Sequence, residues 1–498
     1  MHHDLIVPDR YDLIVVGGGT GGLVSVLIAA ATGARVALIE RARMGGDCLW
    51  TGCIPSKSLL AAAQLAHRMR NAGSVGLTPV EPEIDFDQVM AHVDRARSTI
   101  EPQDSAQRLR ARGIEVIEAG ASFEGPGVLS ADGRRLRFRR AIIATGARPL
   151  LPPVAGLEQA EPLTSDSVWE LRRLPERLLV LGGGPVGCEL AQALVRLGAQ
   201  VTLVELAPRL LLREEPRASD LVAAHLQRDG VRLRLRAHAV SVRGASGRGS
   251  DRGGGGGKEL VIRDEHGATE AIAFDRVLVA TGRSPQTDGL GLQRAGVRTG
   301  EGGAVLVDGR LRTTASRIYA VGDVTAALAF THVAAYQARV ATINALFAAR
   351  RRVSYSAMPW VTFTDPEVGR VGMTEDQARG RWGGRAITTS FEYAELDRAI
   401  AAGERYGFAK LVGDPKGRLV GATVAAPGGG EAIAELAAWI ASGERIDRVS
   451  QTVHAYPTFA EGPARAADEY LRVKLAAPRM RALSRWVLRI LRALDHER

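Results

Sequence analysis

Residues 11–40 read YDLIVVGGGTGGLVSVLIAAATGARVALIE, an order of strand, glycine-rich turn, helix and strand. The first stretch, residues 11–16, is apolar and β-branched, as expected for a buried parallel strand. We expect a helix over residues 23–32, with Gly33 as its C-terminal stop. The second strand, residues 36–40, ends in an acid. This order predicts an α/β unit with a parallel sheet.

The glycine-rich turn has the spacing of a dinucleotide-binding fingerprint. Gly17 permits the tight turn, Gly19 lets the backbone approach a pyrophosphate, and Gly22 allows close packing of the helix. The helix N-terminus adds positive potential. Glu40 ends the next strand, where a carboxylate accepts hydrogen bonds from a ribose. The strand before, the helix after and the acid beyond make this a strong signal rather than an incidental glycine-rich turn.

The same unit recurs about 165 residues later, where residues 178–205 read LLVLGGGPVGCELAQALVRLGAQVTLVE. The second fingerprint consists of Gly182, Gly184, Gly187 and Glu205. An acid at this position favours a free ribose 2′-hydroxyl, and therefore NADH over NADPH, although Arg209 stands near enough in sequence to reach a phosphate. Two dinucleotide sites in one chain indicate a relay between two cofactors.

Two cysteines follow the first unit closely. Cys48 and Cys53 lie five residues apart in GGDCLWTGCIPSK, residues 45–57. A zinc site needs about four ligands, and the chain has only three cysteines and no second pair. A pair of buried apolar cysteines is one interpretation; a redox dithiol that cycles through a disulfide is the other. Lys57 lies one helical turn after Cys53, on the face where an ammonium stabilises a thiolate.

Composition excludes several classes of protein. The chain has 498 residues, of which 46% are hydrophobic and 24% charged, so it is neither disordered nor collagen-like. No run of about 18 apolar residues occurs, and the first residues lack the pattern of a signal peptide. The net charge of +10 comes mostly from dispersed arginines, so we expect no nucleic-acid partner. Few cysteines and no leader predict a cytoplasmic location.

The Cys-x4-Cys pair followed by Ile-Pro-Ser-Lys resembles the motif of the FAD-dependent, class I pyridine nucleotide–disulfide oxidoreductases, which include glutathione reductase, dihydrolipoamide dehydrogenase and mercuric reductase. The cysteine stretch is most similar to that of mercuric-reductase-like members. Residues 319–324, YAVGDV, resemble the family's second flavin fingerprint, and residues 358–375 resemble the start of its dimerisation domain. The resemblance covers about residues 10–470 and implies a homodimer.

The resemblance implies a role for each matching residue. FAD would occupy the first site and NAD(P)H the second, and electrons would pass from the flavin to a Cys48–Cys53 disulfide. Cys53 would face the flavin ring, Cys48 would meet the substrate, and Lys57 would pair with Glu189 beside the flavin. The cofactor-binding residues implied by the two fingerprints, the cysteine motif and the repeated Ala-Thr-Gly turns are Gly17, Gly19, Gly22, Glu40, Gly46, Lys57, Thr145, Gly146, Gly322 and Asp323 for FAD, and Gly182, Gly184, Gly187, Glu205 and Gly282 for NAD(P)H.

The C-terminal motif departs from the family. Disulfide-reducing members carry a His-Pro pair that acts on the partner subunit's thiols, followed by a Glu four residues after the Pro. Here Tyr456 precedes Pro457, and Glu461 keeps its place. Tyr titrates near pH 10 and His near 6.5, so Tyr is a poor base at neutral pH. His454, two residues away, is a candidate replacement or a structural histidine. The chain also lacks the C-terminal cysteine pair of mercuric reductases.

The last residues have a different character. From Pro478 onward, apolar residues fall on one helical face, and six arginines stand against Asp495 and Glu497. Such a tail suits either packing on its own dimer or peripheral contact with an anionic membrane surface.

The predicted fold class is α/β, with two Rossmann-like FAD/NAD(P)-binding domains plus a C-terminal α+β dimerisation domain. The predicted domains are residues 1–155 and 285–356 for FAD, 156–284 for NAD(P)H, 357–475 for dimerisation, and 476–498 for the basic tail. The predicted function is electron transfer from NAD(P)H through FAD and the disulfide to a small disulfide, a metal ion or another small-molecule acceptor, with no resident metal. One alternative is a quinone or metal-ion reductase in which the disulfide only tunes the flavin. Another is a redox sensor or membrane-associated binding protein.

Overall fold

The computed structural model describes residues 10–244 and 257–496. The described chain separates into two compact units. The first contains the described parts of residues 1–69, 81–208 and 229–353, and the second those of residues 70–80, 209–228 and 354–498.

The strands are β1 Arg10–Val16, β2 Val36–Glu40, β3 Glu115–Glu118, β4 Ala121–Gly125, β5 Val128–Ala131, β6 Arg134–Ile143, β7 Ala147–Pro149, β8 Leu163–Thr164, β9 Arg177–Leu181, β10 Gln200–Val204, β11 Arg232–Arg234, β12 His238–Arg243, β13 Lys258–Arg263, β14 Thr269–Phe274, β15 Arg276–Val279, β16 Arg283–Pro285, β17 Ile318–Ala320, β18 Pro359–Thr362, β19 Glu367–Gly372, β20 Ile387–Glu392, β21 Phe408–Gly413 and β22 Leu419–Ala426. The helices are α1 Thr20–Ala31, α2 Gly46–Trp50, α3 Cys53–Arg70, α4 Phe86–Asp104, α5 Ala106–Arg110, α6 Pro185–Arg196, α7 Pro216–Arg228, α8 Thr331–Phe347, α9 Glu375–Trp382, α10 Asp397–Ala402, α11 Gly429–Ser442, α12 Ile446–Gln451, α13 Glu461–Ala476 and α14 Pro478–His496.

The first repeat forms a seven-stranded sheet in the order β3-β2-β1-β6-β5-β4, with β17 also pairing with β6. Strands β3, β2, β1, β6 and β17 are parallel, and β4 and β5 complete an antiparallel edge. The central strand β1 is almost completely buried, which explains its apolar sequence. Helix α1 begins at Thr20, three residues before its expected start, because both glycines after Thr20 adopt helical conformation.

The second repeat has the same local arrangement. Its parallel sheet runs β11-β10-β9-β15-β8, so β9 lies between β10 and β15 just as β1 lies between β2 and β6. The duplication read from the sequence is therefore present in the fold. An antiparallel sheet, β12-β13-β14, belongs to the same repeat. The glycine-rich composition of residues 244–257 predicts a flexible hairpin tip, and residues 245–256 of this stretch lie outside the described residues.

The two Ala-Thr-Gly turns lead into strands that pair with each other. Strand β7 runs antiparallel to β16, with Ala147 opposite Pro285 and Pro149 opposite Arg283. This two-stranded link joins the ends of the two nucleotide-binding repeats.

The second unit is built on an antiparallel sheet in the order β18-β19-β22-β21-β20. Its core includes Leu411, Val424, Leu436 and Ala466, which come from β21, β22, α11 and α13. This is the α+β domain expected after residue 357. The exact domain boundaries stay predictions. Beyond it, the basic tail forms a helix of its own, α14, and among the described helices none is long and apolar enough to cross a membrane.

Candidate active site

The two motif cysteines lie on adjacent short elements of the first unit. Cys48 is in the single turn of α2, and Cys53 is the first residue of α3. Both are free thiols in this structure. Their mutual interaction lowers the pKa of Cys53 and raises the pKa of Cys48, whose burial adds to the rise. These effects favour the thiolate at Cys53 and the protonated thiol at Cys48.

Three further groups affect the charge on Cys53. The Thr331 hydroxyl lies 3.3 Å from Cys53 Sγ and helps to lower the pKa of the thiol. The positive charge of Lys57 also lowers this pKa, whereas burial and the charge of Glu189 raise it. Lys57 Nζ donates to Glu189 Oε2 at 2.8 Å, so the expected pairing is present. Thr331 is 278 residues from Cys53 and belongs to none of the sequence motifs, so this contact was not predicted.

The loop between the cysteines is held by side chains from distant parts of the first unit. Arg283 forms an ion pair with Asp47 and also contacts the Ala147 carbonyl. Trp169 Nε1 donates to the Thr51 carbonyl at 2.9 Å. Burial raises the pKa of Asp47 to about 6, against the opposing effect of Arg283. These contacts fix the turn that carries Cys48, and a sequence signal existed for Arg283, which follows the second Ala-Thr-Gly turn.

The first glycine fingerprint forms a tight cradle at the N-terminus of α1. A Cβ on Gly17 would lie 2.3 Å from the Ala144 carbonyl oxygen, and one on Gly22 would lie 1.8 Å from the Gly17 carbonyl oxygen. A Cβ on Gly46 would meet Gly19 Cα at 2.6 Å. Glu40 accepts hydrogen bonds from the backbone of Gly18 and Ala42, at 2.6 and 2.7 Å. The carboxylate is thereby held at the cradle, with acceptor capacity left for a ribose.

The second fingerprint repeats this geometry, but one of its positions stays open. A Cβ on Gly187 would lie 1.9 Å from the Gly182 carbonyl oxygen, whereas one on Gly184 would meet no atom within 4 Å. Glu205 accepts hydrogen bonds from the backbone of Gly183 and Ala207, at 2.5 and 2.7 Å. The space beside Gly184 is where the fingerprint admits a pyrophosphate.

The turns that close each repeat lie near these cradles. A Cβ on Gly17 would also touch the backbone of Thr145, and one on Gly182 would touch Thr281, which precedes Gly282. Gly146 and Gly282 both have positive φ, at 68° and 138°.

Asp323 follows Gly322 and is largely buried, which raises its pKa. Within the described chain its carboxylate accepts no hydrogen bond, so it is free to bind a hydroxyl of a ligand. The two cradles and this acid fit two dinucleotides.

Arg209, which the sequence offers as a possible phosphate ligand, has its guanidinium engaged within the second unit. Its guanidinium donates to the hydroxyl of Ser219 at 2.7 Å and to the carbonyls of Glu214 and Leu212 at 3.0 and 2.8 Å. These bonds hold the start of α7 within the second unit and use both terminal nitrogens of the side chain.

The C-terminal motif residues belong to the second unit and point to different partners. Tyr456 is 65% exposed, and its hydroxyl donates to Asp397 at 2.9 Å, which raises the pKa of Tyr456. The ring nitrogens of His454 contact Glu435 at 3.0 Å and the Thr452 carbonyl at 2.8 Å. Glu461 is buried and accepts from the Thr458 backbone at 3.1 Å. Of the two candidates for the missing histidine, His454 has both ring nitrogens engaged, and Tyr456 is the exposed one.

Comparison with protein families matches residues 11–338 to the pyridine nucleotide-disulphide oxidoreductases, and residues 358–467 to the dimerisation domain of that family. This chain belongs to the pyridine nucleotide–disulphide oxidoreductase family. The predicted fold class, with two nucleotide-binding domains and a dimerisation domain, is confirmed. The predicted cofactors of this oxidoreductase, FAD and NAD(P)H, are those of its family, and its dimerisation domain supports a homodimer.

Relatives of this oxidoreductase differ in what they act on. It is 34% identical to a mercuric reductase from Lysinibacillus sphaericus over 93% of this chain and 83% of the relative, and 35% identical to a dihydrolipoyl dehydrogenase from Thermus scotoductus over 92% and 97%. Among solved structures, the Cu(II) complex of the HOCl-induced flavoprotein disulfide reductase RclA from Escherichia coli has a TM-score of 0.80 and 28% identity, covering 93% of this chain and 99% of that one. LpdA from Mycobacterium tuberculosis has a TM-score of 0.81 and 28% identity, covering 93% and 100%. The chain is therefore an oxidoreductase of the class that acts on disulfides or metal ions.

Proposed function

We propose that this flavoenzyme takes electrons from NADH and delivers them through the Cys48–Cys53 pair to a small-molecule acceptor, with a thiol-binding metal ion as the favoured acceptor. The observation that carries this proposal is the position of Cys53. It is the first residue of α3, and its Sγ lies 3.3 Å from the Thr331 hydroxyl. Thr331 and the charge of Lys57 both lower the pKa of Cys53, whereas the pKa of Cys48 is raised. One thiolate and one protonated thiol are what a pair needs if it is to form and reopen a disulfide repeatedly.

The cofactor sites are assigned to the two cradles. Gly17, Gly19, Gly22, Glu40 and Gly46 would hold FAD together with Lys57, Thr145, Gly146, Gly322 and Asp323. Gly182, Gly184, Gly187, Glu205 and Gly282 would hold the nicotinamide nucleotide. Bound FAD supplies the two-electron chemistry that connects the nucleotide to the disulfide. The carboxylate of Glu205 favours NADH over NADPH, because it accepts from a ribose 2′-hydroxyl and repels a 2′-phosphate.

A residue of the second unit, Tyr456, favours a metal ion over a disulfide as the acceptor. A disulfide substrate needs a general acid for its leaving thiol, and an exposed Tyr456 bonded to Asp397 supplies one poorly near neutral pH. Soft metal ions instead bind thiolates directly and need no such acid. On delivery, the Cys53 thiolate and the Cys48 thiol together lose two electrons and one proton as the sulfur–sulfur bond forms. The proton goes to solvent, and the electrons go to one Hg(II) ion or, one each, to two Cu(II) ions. The names of the mercuric reductase relatives and the Cu(II)-bound structural relative support this class of acceptor.

In the homodimer, we assign Tyr456 and Glu461 to the active site of the partner subunit, next to its cysteine pair, as the resemblance implies. Glu461 accepts a hydrogen bond from the Thr458 backbone and so holds the backbone that follows Pro457. The reaction is assigned to the cytoplasm, where NADH and reduced thiols coexist.

Cysteine substitution with several acceptors tests the proposal. We expect Cys48→Ser and Cys53→Ser to abolish NADH-dependent reduction of Hg(II) and Cu(II). Cys188→Ala is the matched control and should keep full activity. Cys188 is buried in α6, and within the described residues its thiol bonds only to the Gly183 carbonyl. If the cysteine variants reduce metal ions and quinones as fast as the wild type, the disulfide only tunes the flavin and the proposal is wrong. Poor turnover of the wild-type enzyme with every acceptor would instead indicate a redox sensor.

A further inference from the structure

Helix α14 exposes an apolar face of considerable area. The helix spans the 19 residues Pro478–His496, and almost every described side chain from Pro478 to Asp495 is exposed. At 100° per residue one arc of the helix carries most of the large apolar residues, namely Met480, Leu483, Trp486, Val487, Ile490, Leu491 and Leu494. Leu488 lies outside this arc, beside Arg481. Trp486 is 59% exposed and stands at the edge of this arc. An apolar face of this kind is usually covered by a partner.

The opposite arc is basic. It carries Arg481, Arg485, Arg489 and Arg492, and Arg479 lies at the start of the helix. None of these five arginines forms an ion pair with another residue of the described chain. Arg481 and Arg485 are four residues apart, as are Arg485 and Arg489, so the helix places like charges next to each other. An arrangement that repels itself in water is stabilised by a negatively charged surface.

We propose that α14 lies flat on an anionic lipid surface and attaches the enzyme peripherally to it. The apolar arc enters the boundary between headgroups and acyl chains, and the arginine arc contacts lipid phosphates. A Trp at the border between the two arcs suits that boundary, because its ring is apolar and its N–H is polar. The helix is roughly 28 Å long, sufficient for a lateral anchor, and too heavily charged to cross the bilayer.

Charge favours a lipid surface over a second copy of this chain. The whole chain has a net charge of +10, so a second copy repels the arginine arc on average, whereas an anionic lipid surface attracts it. Within α14 only Asp495 opposes the five arginines. A dimer contact would cover the apolar arc and leave the repulsion among the arginines unrelieved, whereas anionic lipids cover the first and relieve the second.

Vesicle sedimentation of the full-length holoenzyme tests the proposal. Three proteins are compared: the full chain, a chain ending at Ala477, and a full chain with Arg481, Arg485, Arg489 and Arg492 changed to Gln. Each is mixed with vesicles of phosphatidylcholine plus phosphatidylglycerol, or of phosphatidylcholine alone. We expect the full chain to sediment with the anionic vesicles only, and both variants to lose at least about tenfold in partitioning. Flavin content and NADH oxidation confirm that the variants are folded.

Two results would overturn the proposal. Equal partitioning of the full and shortened chains would show that α14 does not bind lipid. Conversion of the shortened chain to a monomer, measured by light scattering, would assign α14 to the dimer contact. The quadruple glutamine variant keeps the apolar arc, so its loss of anionic binding with an unchanged oligomeric state separates lipid contact from dimer packing.

Discussion

Cys53 Sγ and Thr331 Oγ1 lie 3.3 Å apart, and each belongs to the first residue of a helix. The N-termini of α3 and α8 therefore meet at the sulfur that has the lowered pKa. The partial positive charge of a helix N-terminus favours an anion, so both helices support a thiolate at Cys53 in addition to the Thr331 hydroxyl.

Replacing Thr331 should raise the pKa of Cys53. In Thr331→Val the hydrogen bond to the thiolate is lost, and a bond to a charged group is worth about one pKa unit or slightly more. Titration of the two-electron-reduced enzyme, followed by its visible spectrum, should show the thiolate transition about one pH unit higher than in the wild type. Thr331→Ser keeps the hydroxyl and should titrate like the wild type. If the valine variant titrates like the wild type, Thr331 does not stabilise the Cys53 thiolate and the prediction is wrong.

Lys57 and Glu189 should shift the same titration in opposite directions. Lys57→Met removes a positive charge and should raise the pKa of Cys53, whereas Glu189→Gln removes a negative charge and should lower this pKa further.

The same two substitutions should differ in stability. Lys57→Met removes the ion pair between Lys57 and the buried Glu189, which we expect to lower the free energy of unfolding by about 1–3 kcal/mol. Glu189→Gln keeps an acceptor for Lys57 and should cost less. The two pKa shifts and two melting curves are measured on the same preparations, and shifts of equal sign would contradict the electrostatic account.

Tyr456→His should create activity toward small disulfides. An exposed histidine titrates near pH 6.5 and supplies the acid and base that tyrosine does not at neutral pH. We expect NADH-dependent reduction of lipoamide to increase by about tenfold or more, since general acid–base catalysis is worth roughly 10²–10⁴. Tyr456→Phe, which loses only the bond to Asp397, should show no such gain. Wild-type reduction of lipoamide at the rate of the histidine variant would show that the missing histidine is replaced elsewhere.

Local patterns in the sequence predicted the repeats well. The strand predicted at residues 36–40 has the observed bounds, and β1 and β9 each begin only one residue earlier than expected. The agreement is close because a glycine fingerprint between two apolar stretches allows few other arrangements of strand and helix. The ion pair of Lys57 with Glu189 was available only through family resemblance, since a 132-residue separation leaves no local trace. Thr331 was missed for the same reason.

The sequence did not predict the hydrogen-bond partners of side chains that lie in loops. His454 and Tyr456 are two residues apart and were expected to project to one side if the segment were extended. They bond instead to Glu435 and Asp397, on different helices, because residues 453–455 form no strand. Arg209 was likewise a plausible phosphate ligand in sequence, and only the structure shows that the start of α7 uses its guanidinium.

Gly184 and Gly187 should separate nucleotide binding from folding. Gly184 has φ −74° and open space where a Cβ would stand, so Gly184→Ala should fold normally and keep its FAD. The added methyl group occupies the space through which the backbone approaches the pyrophosphate, so the KM for NADH should rise by about tenfold or more. In Gly187→Ala the Cβ would lie 1.9 Å from the Gly182 carbonyl oxygen, so that variant should melt at a lower temperature even without nucleotide. Melting curves, flavin content and NADH saturation curves for both variants provide the comparison. If Gly184→Ala binds NADH like the wild type, the nucleotide does not bind beside Gly184, and the assignment of the second cradle to NADH is wrong.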